Sequence, residues 1–381
     1  SGRRMPFIWV FSAMYVFGAA GLWFAAPDSF NIVLILCLFA VGLIGMEFAT
    51  IFTNALLPNL GPAEQIGRIS GSGWAIGYLG GLVSLIMMLT LFAENAETGL
   101  TLIGIDPIFG LDANAREGTR AVGPLTAIWF IVFIIPFFLW VKEPRMPNAL
   151  PIGAAIRTAL PNLAISLKKL PKNRSLFAYL GSSMFYRDAL NGMYTFGGIY
   201  ASGVLGWSVV EIGTFAILAV LTGAIFAWLG GKADDRFGPK PVITFNVLLL
   251  TAVAIGIVFT SRESVFGFAV AEGSTLPDTV FYILGALIGA GGGMLQSASR
   301  HMLVRQADQS KMTESFGLYA LAGKATAFIA PLMIGVTTQI TGSQQLGVSP
   351  LIALFLIGLV MLFFVHPNPQ PARKGHPENA V

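Results

Sequence analysis

Apolar runs of about twenty residues, separated by short polar or charged connectors, recur from one end of the chain to the other. A hydrocarbon layer ~30 Å thick takes about 20 helical residues to cross. The pattern predicts ten spans, at about 6–26, 31–57, 68–92, 123–141, 176–201, 209–230, 240–260, 279–300, 314–340 and 347–365. All are expected to be helices, because lipid offers no water to satisfy an open strand edge. The first run follows Arg3 and Arg4 and ends at Ala25-Ala26-Pro27, like a signal peptide. At ~20 residues it exceeds an h-region of about 7–15, so it reads as a true span.

The connectors set the expected orientation. With the segment 231–239 placed in the cytoplasm and the spans alternating, the cytoplasmic side carries eighteen basic residues: Arg3, Arg4, Arg68, Lys142, Arg145, Arg157, Lys168, Lys169, Lys172, Arg174, Lys232, Arg236, Lys240, Arg300, Arg305, Lys311, Arg373 and Lys374. The other side carries three, Arg116, Arg120 and Arg262. That asymmetry is the positive-inside pattern, and it supports the span count independently. Ala93–Val122 then forms a long outer loop, acidic through Glu94, Glu97, Asp106, Asp112 and Glu117, and expected to be exposed. Between Val141 and Arg174 prolines and basic residues accumulate, which marks a linker. Within it, Ile152–Leu170 reads either as a solvated segment or as a surface helix interrupted at Pro161, with Arg157, Lys168 and Lys169 toward anionic headgroups.

Composition excludes several classes. Apolar residues are 55% and charged residues 11%, against roughly 45–50% and 25% in soluble domains. The net charge of +4 therefore reports orientation in a bilayer rather than nucleic-acid binding. Cys37 is the only cysteine and lies inside an apolar run, so neither a disulfide framework nor a cysteine metal site is expected. His301, His366 and His376 lie at or beyond span ends without metal-ligand spacing. Gly289–Gly293 lacks the Lys-Ser/Thr of a phosphate-binding loop and reads as a deformable or tightly packed helix. No catalytic constellation and no cofactor motif is present, so the chain is not expected to be an enzyme.

Gly231-Lys232-Ala233-Asp234-Asp235-Arg236-Phe237-Gly238-Pro239-Lys240 is a short charged segment between two long apolar runs. Read as G-x-x-x-D-R-x-G-x-[RK], it resembles the loop signature of the major facilitator superfamily, which joins the second and third helix of each six-helix half. The resemblance implies a turn in which Gly231 ends a helix packed close, Asp235 sits near the start of a neighbouring helix, and Arg236 and Lys240 hold the cytoplasmic side. Gly238 and the nearby Arg300 complete this gating set, with Arg300 a partner for Asp234 or Asp235. Set against this segment, Ser1-Gly2-Arg3-Arg4 matches Phe237-Gly238-Pro239-Lys240 in glycine and basic positions. Two spans precede the second copy and none precedes the first, so the first half is expected to lack two spans, roughly 62 residues by the repeat. The expected organisation is residues 1–141 as an N-terminal half of four spans, 142–174 as the cytoplasmic linker, 175–366 as a six-span half and 367–381 as a tail.

Longer stretches narrow the resemblance. Asn54-Ala55-Leu56-Leu57-Pro58 followed by Gly67–Gly81, then Gly291–Arg300, and Ser315–Lys324 leading to Pro331, are similar to the vacuole-effluxer-like permeases of that superfamily. The resemblance implies an all-α membrane protein of the major facilitator fold, two pseudo-symmetric six-helix halves with ten of twelve spans present. It also implies export of neutral amino acids. On the third span Ser70, Gly73, Gly77, Gly80, Gly81 and Ser84 share a face that suits close helix packing.

Ionisable groups inside a bilayer cost ~2.5–3.5 kcal/mol on insertion scales and so need a partner or a purpose. Glu47, Arg187, Asp188 and Lys324 lie at mid-span. Arg187 shares its side with Asn191 and Tyr194, and Asn54 belongs to the first family-like stretch. Arg187 or Lys324 would attract a substrate carboxylate, and Glu47 or Asp188 would carry a coupling proton or meet the substrate amine. Alternatively, Asp188 and Lys324 form a fixed ion pair between two helices. The expected function is secondary active transport of a small polar solute, foremost amino-acid efflux, by alternating access and with proton coupling, as a monomer in a bacterial inner membrane. Sugar or organic-anion uptake by the same fold, and a non-transporting membrane scaffold, are the alternatives.

Overall fold

The computed structural model describes residues 3–27, 30–143 and 151–368. Its helices are α1 (Met5–Gly21), α2 (Ile32–Asn54), α3 (Ile66–Met87), α4 (Glu117–Arg120), α5 (Val122–Trp140), α6 (Ile152–Lys169), α7 (Arg174–Leu205), α8 (Val209–Phe237), α9 (Pro239–Val258), α10 (Leu276–Gln306), α11 (Met312–Ala325), α12 (Ile329–Thr341), α13 (Gln344–Gly347) and α14 (Pro350–Phe363). Local chemistry sets their ends. The Asn31 side chain accepts from the N–H groups of Val33 and Leu34 to open α2, and Ser208 with Glu211 forms a reciprocal capping box on α8. Gly206 (φ 68°) and Gly342 (φ 66°) close α7 and α12 in the left-handed conformation that a Cβ would oppose.

Among the described residues, nine helical segments are long and apolar enough to cross a membrane. At 32 residues α7 has the length of a tenth, but Arg187, Asp188, Asn191 and its serines lower its hydropathy. The chain is a multi-pass membrane protein. Four expectations change in detail. The charged segment 231–239 is not a loop: α8 runs on to Phe237, and the reversal is confined to Gly238 (φ 84°, ψ 161°). Polar residues can extend a helix beyond hydrocarbon, so the end of the apolar run does not end the helix. The span expected over 314–340 is broken at Thr326–Phe328, because Pro331 has no N–H to donate and its ring clashes with the carbonyl four residues back. Conversely, α6 continues through Pro161. In the 93–122 loop Glu94 is buried, accepting from the Thr119 N–H (3.0 Å) and hydroxyl (2.7 Å) and pairing with Arg116 (3.1 Å). The connection after α9 adds a hairpin, β1 (Ser264–Val265) with β2 (Phe268–Ala269), turned by Phe266 and Gly267 at positive φ.

The chain divides into two compact units, Ser1–Leu60 with Leu79–Ala159, and Gly61–Tyr78 with Leu160–Val381. In the first, α1 packs on α2 and α5, with Gly18 against Gly42 and Gly45 against the Tyr15 backbone. In the second, α10 lies against α8, α9 and α7, while α14 packs on α7 and α9. The glycine run explains how α10 can touch three neighbours at once. A Cβ at Gly289 would meet the Ala219 carbonyl, one at Gly291 would meet Leu250, and one at Gly292 would meet the Tyr194 hydroxyl. The packing face of α3 lies on Gly67, Gly71 and, of the stripe expected, Ser70, which is fully buried and donates to the Ser297 carbonyl at 2.9 Å. Side chains added at Gly77, Gly80 and Gly81 would meet no atom within 4 Å.

Candidate functional site

The second unit carries a polar stripe inside its apolar helices. Arg187 lies thirteen residues into α7, about 20 Å along the helix. Its Nη1 donates to the Tyr319 carbonyl at 3.1 Å, and the guanidinium sits 4.1 Å from the centre of the Tyr319 ring. Gly323 leaves the space it occupies, since a Cβ there would lie 2.9 Å from Nη1. Among the described residues no carboxylate stands within salt-bridge distance of Arg187. One and two turns on, Asn191 and Tyr194 are exposed, as the helical spacing requires. The Tyr194 hydroxyl lies 3.5 Å from that of Tyr78, which also accepts from the Gln296 amide at 3.0 Å. Trp74, one turn before Tyr78 on α3, has a buried indole N–H without a hydrogen-bond partner. The stripe thus gathers the Arg187 guanidinium, two phenols, two amides and an indole.

Asp188 does not join this stripe. It is 2% exposed and accepts from the Ala330 N–H at 3.0 Å, which places its carboxylate on the first turn of α12. The expected ion pair with Lys324 is therefore not formed. The break before Pro331 frees N–H groups at the start of α12, and an Asp one helix away is the nearest acceptor. Lys324 lies in the last turn of α11, beside the Gly323 backbone that supports Arg187, and its side chain is exposed. Glu47 and Asn54 are half-buried on α2, in the other unit.

The gating residues gather at the other notable cluster, where α8 meets the start of α3. Gly231 and Gly71 face each other, and a Cβ on Gly231 would lie 2.8 Å from the Gly67 carbonyl. This close approach puts Asp235 at the first turn of α3, where it accepts from the Arg68 N–H at 3.2 Å and from its Nε at 3.5 Å. Arg300 serves neither Asp234 nor Asp235. It donates to the Ser70 hydroxyl (3.1 Å) and carbonyl (2.6 Å) and lies over the Trp74 ring. Asp234, fully buried, pairs instead with His301 Nδ1 at 2.9 Å. Arg305 Nε donates to His301 Nε2 at 3.1 Å, so the proton of the neutral ring is on Nδ1 and points at Asp234. Lys240 donates to the carbonyls of Val365 (2.7 Å) and Phe363, closing the end of α14, while Arg236 is exposed over the Phe237 ring. Sequence reasoning set His301 aside for want of metal spacing. Its signal was different: a histidine one turn before Arg305 at a helix end, in a chain with two adjacent aspartates to neutralise.

The helix arrangement and the polar stripe can be set beside known proteins. The family described as "Vacuole effluxer Atg22 like" matches residues 2–371. An uncharacterised MFS-type transporter, YxiO, of Bacillus subtilis is 26% identical over 377 residues, 96% of this chain and 78% of the relative. Autophagy-related protein 22 of Cryptococcus neoformans is 24% identical over 301 residues, 77% of this chain, and the match covers 48% of that protein. The chain therefore spans about half the length of its fungal relatives. In fold it is similar to the E. coli fucose:proton symporter FucP (TM-score 0.68, 15% identity, 95% of this chain and 83% of that one). It is also similar to the human organic anion transporter MFSD10 (TM-score 0.64, 15% identity, 95% and 77%). Both have the major facilitator fold, and so does this chain.

Proposed function

Since the chain belongs to the vacuole effluxer Atg22-like family and is a secondary transporter of the major facilitator fold, we propose that it exports a small solute bearing a carboxylate, most simply an amino acid. The observation that carries the reading is Arg187: a guanidinium in a membrane-spanning helix, held by a carbonyl and a ring, with no carboxylate in salt-bridge reach among the described residues. A cation at mid-span without a counter-charge is costly, and a substrate carboxylate would supply one through a bidentate pair. Asn191, Tyr194, Tyr78 and Gln296 offer donors and neutral acceptors for the rest of the solute. Glu47, at mid-span in α2, is the group that would take a coupling proton, and Lys324 and Asn54 are further candidates for a role in transport. At the α3–α8 crossing Asp235 would stabilise one state of the transport cycle through the first turn of α3. The excess of basic residues on one set of connectors supports an inner-membrane protein with linker and C-terminus in the cytoplasm.

The test is efflux and uptake of a labelled amino-acid mixture in proteoliposomes, with and without an imposed pH gradient. Selective flux should fall at least about tenfold in Arg187→Gln, the scale of one lost charged hydrogen bond of ~1.5–3 kcal/mol. Glu47→Gln should keep exchange of solute for solute yet lose its response to the gradient. No flux of any amino acid by folded protein would sink the assignment. A second reading has its own support: Trp74, Tyr78, Tyr194 and Gln296 form the ring-and-amide surface that suits a sugar. It predicts that Trp74→Ala abolishes flux of a neutral sugar while Arg187→Gln does not.

A further inference from the structure

The helix between the α5 and α7 spans presents its apolar residues outward. In α6, Ile156, Leu160, Leu163 and Leu167 recur at i, i+4, i+7 and i+11, one narrow stripe of a 3.6-residue helix. Leu160 is 78% exposed, Ile156 61% and Leu167 43%. Leu163, between them, is half-buried, as are Ala154, Ala155, Thr158 and Ser166 around the other side of the helix. Isoleucine and leucine this exposed do not suit a linker bathed only in water. Its charges point the same way. Arg157 and Lys168 flank the stripe, Lys169, Lys172 and Arg174 follow, and no Asp or Glu occurs between Pro151 and Ser175. The chain leaves a span at Trp140 and enters the next at Arg174, with only residues 170–173 between it and the end of α6. The helix therefore cannot lie far from the bilayer surface.

We propose that α6 docks on anionic phospholipid of the bilayer its own spans cross. Ile156, Leu160, Leu163 and Leu167 enter the headgroup boundary, Arg157 and Lys168 bind phosphates from one flank of the stripe, and Lys169 adds positive charge at the helix end. Pro161 fits this placement. It leaves the Arg157 carbonyl without its helical donor on the exposed, polar flank, where water and headgroups can satisfy it.

The experiment uses the whole protein with Cys37→Ala, labelled with an environment-sensitive dye at Leu160→Cys, in nanodiscs of phosphatidylcholine with rising phosphatidylglycerol. The expected result is a blue shift of the dye that grows with phosphatidylglycerol and is quenched by a lipid brominated near the headgroup. Reversing Arg157, Lys168 and Lys169 to Glu should shift the response to higher phosphatidylglycerol, by about fivefold in apparent affinity per charge. Salt at 1 M should have a similar effect. The same dye at Thr158→Cys, on the half-buried side, should not respond. A dye at Leu160→Cys that reports water at every composition would overturn the proposal. So would a blue shift indifferent to phosphatidylglycerol and to charge reversal, which would mean apolar insertion without anionic selection. None of these readouts depends on transport, so the outcome stands apart from the fate of the amino-acid assignment.

Discussion

Arg187 and Asp188 are adjacent in sequence, and ~100° of helix rotation sends them to different tasks. The guanidinium faces the polar stripe and the carboxylate holds the start of α12. Asp188→Asn keeps an acceptor for the Ala330 N–H and should fold with little loss of thermal stability in detergent. Asp188→Ala leaves that N–H unsatisfied and should cost about 1.5–3 kcal/mol, read as a clear fall in Tm. Equal loss in both variants would mean that charge at this position, beyond hydrogen bonding, holds α12. Gly231 is the other decisive residue. Its Cα lies so near the Gly67–Gly71 backbone that Gly231→Val should cost roughly 1–3 kcal/mol by overpacking. Gly77→Ala, where nothing lies within 4 Å, serves as the control and should leave Tm unchanged.

At the scale of elements, the crossing of α3 with α8 couples packing to electrostatics. The glycine pair sets the approach, and the approach brings Asp235 onto the first-turn N–H of Arg68. Asp235→Asn retains the hydrogen bond but loses the charge at the helix N-terminus, worth about 0.3–1 kcal/mol. It should therefore alter the distribution between transport states rather than folding. Spin-label distances across the α3–α8 crossing should broaden while Tm stays within a degree or two of the parent. The break between α11 and α12 is a second device at this scale. Pro331 was visible in the sequence and marked the end of a family-like stretch, but a run of apolar residues on both sides concealed the break. Hydropathy measures burial in lipid and does not register an interrupted hydrogen-bond ladder.

For the whole molecule, the basic residues predict which connectors face the cytoplasm. In a Cys37→Ala background, a membrane-impermeant maleimide applied to intact cells should label Glu272→Cys, in the connection before α10. It should not label Gln309→Cys, in the connection after it. The reverse result would invert the orientation. Labelling of both in intact cells would deny that α10 spans the membrane.

Helical class, nine of the ten expected spans among the described residues and the polar positions within them were legible from the chain alone, because a bilayer imposes one length and one hydrogen-bonding solution on every crossing segment. Family resemblance added the fold through stretches such as Gly67–Gly81 and Gly291–Arg300. What the sequence could not decide was pairing. Asp188 read as a proton or amine site or as a partner for Lys324, never as the cap of a helix start, and Arg300 suited either aspartate. His301 had no partner until α8 brought Asp234 to it. The difference is physical: the cost of placing a residue in lipid depends on that residue, whereas its partner depends on which backbones can approach, and here glycines on α3, α8 and α10 set those distances.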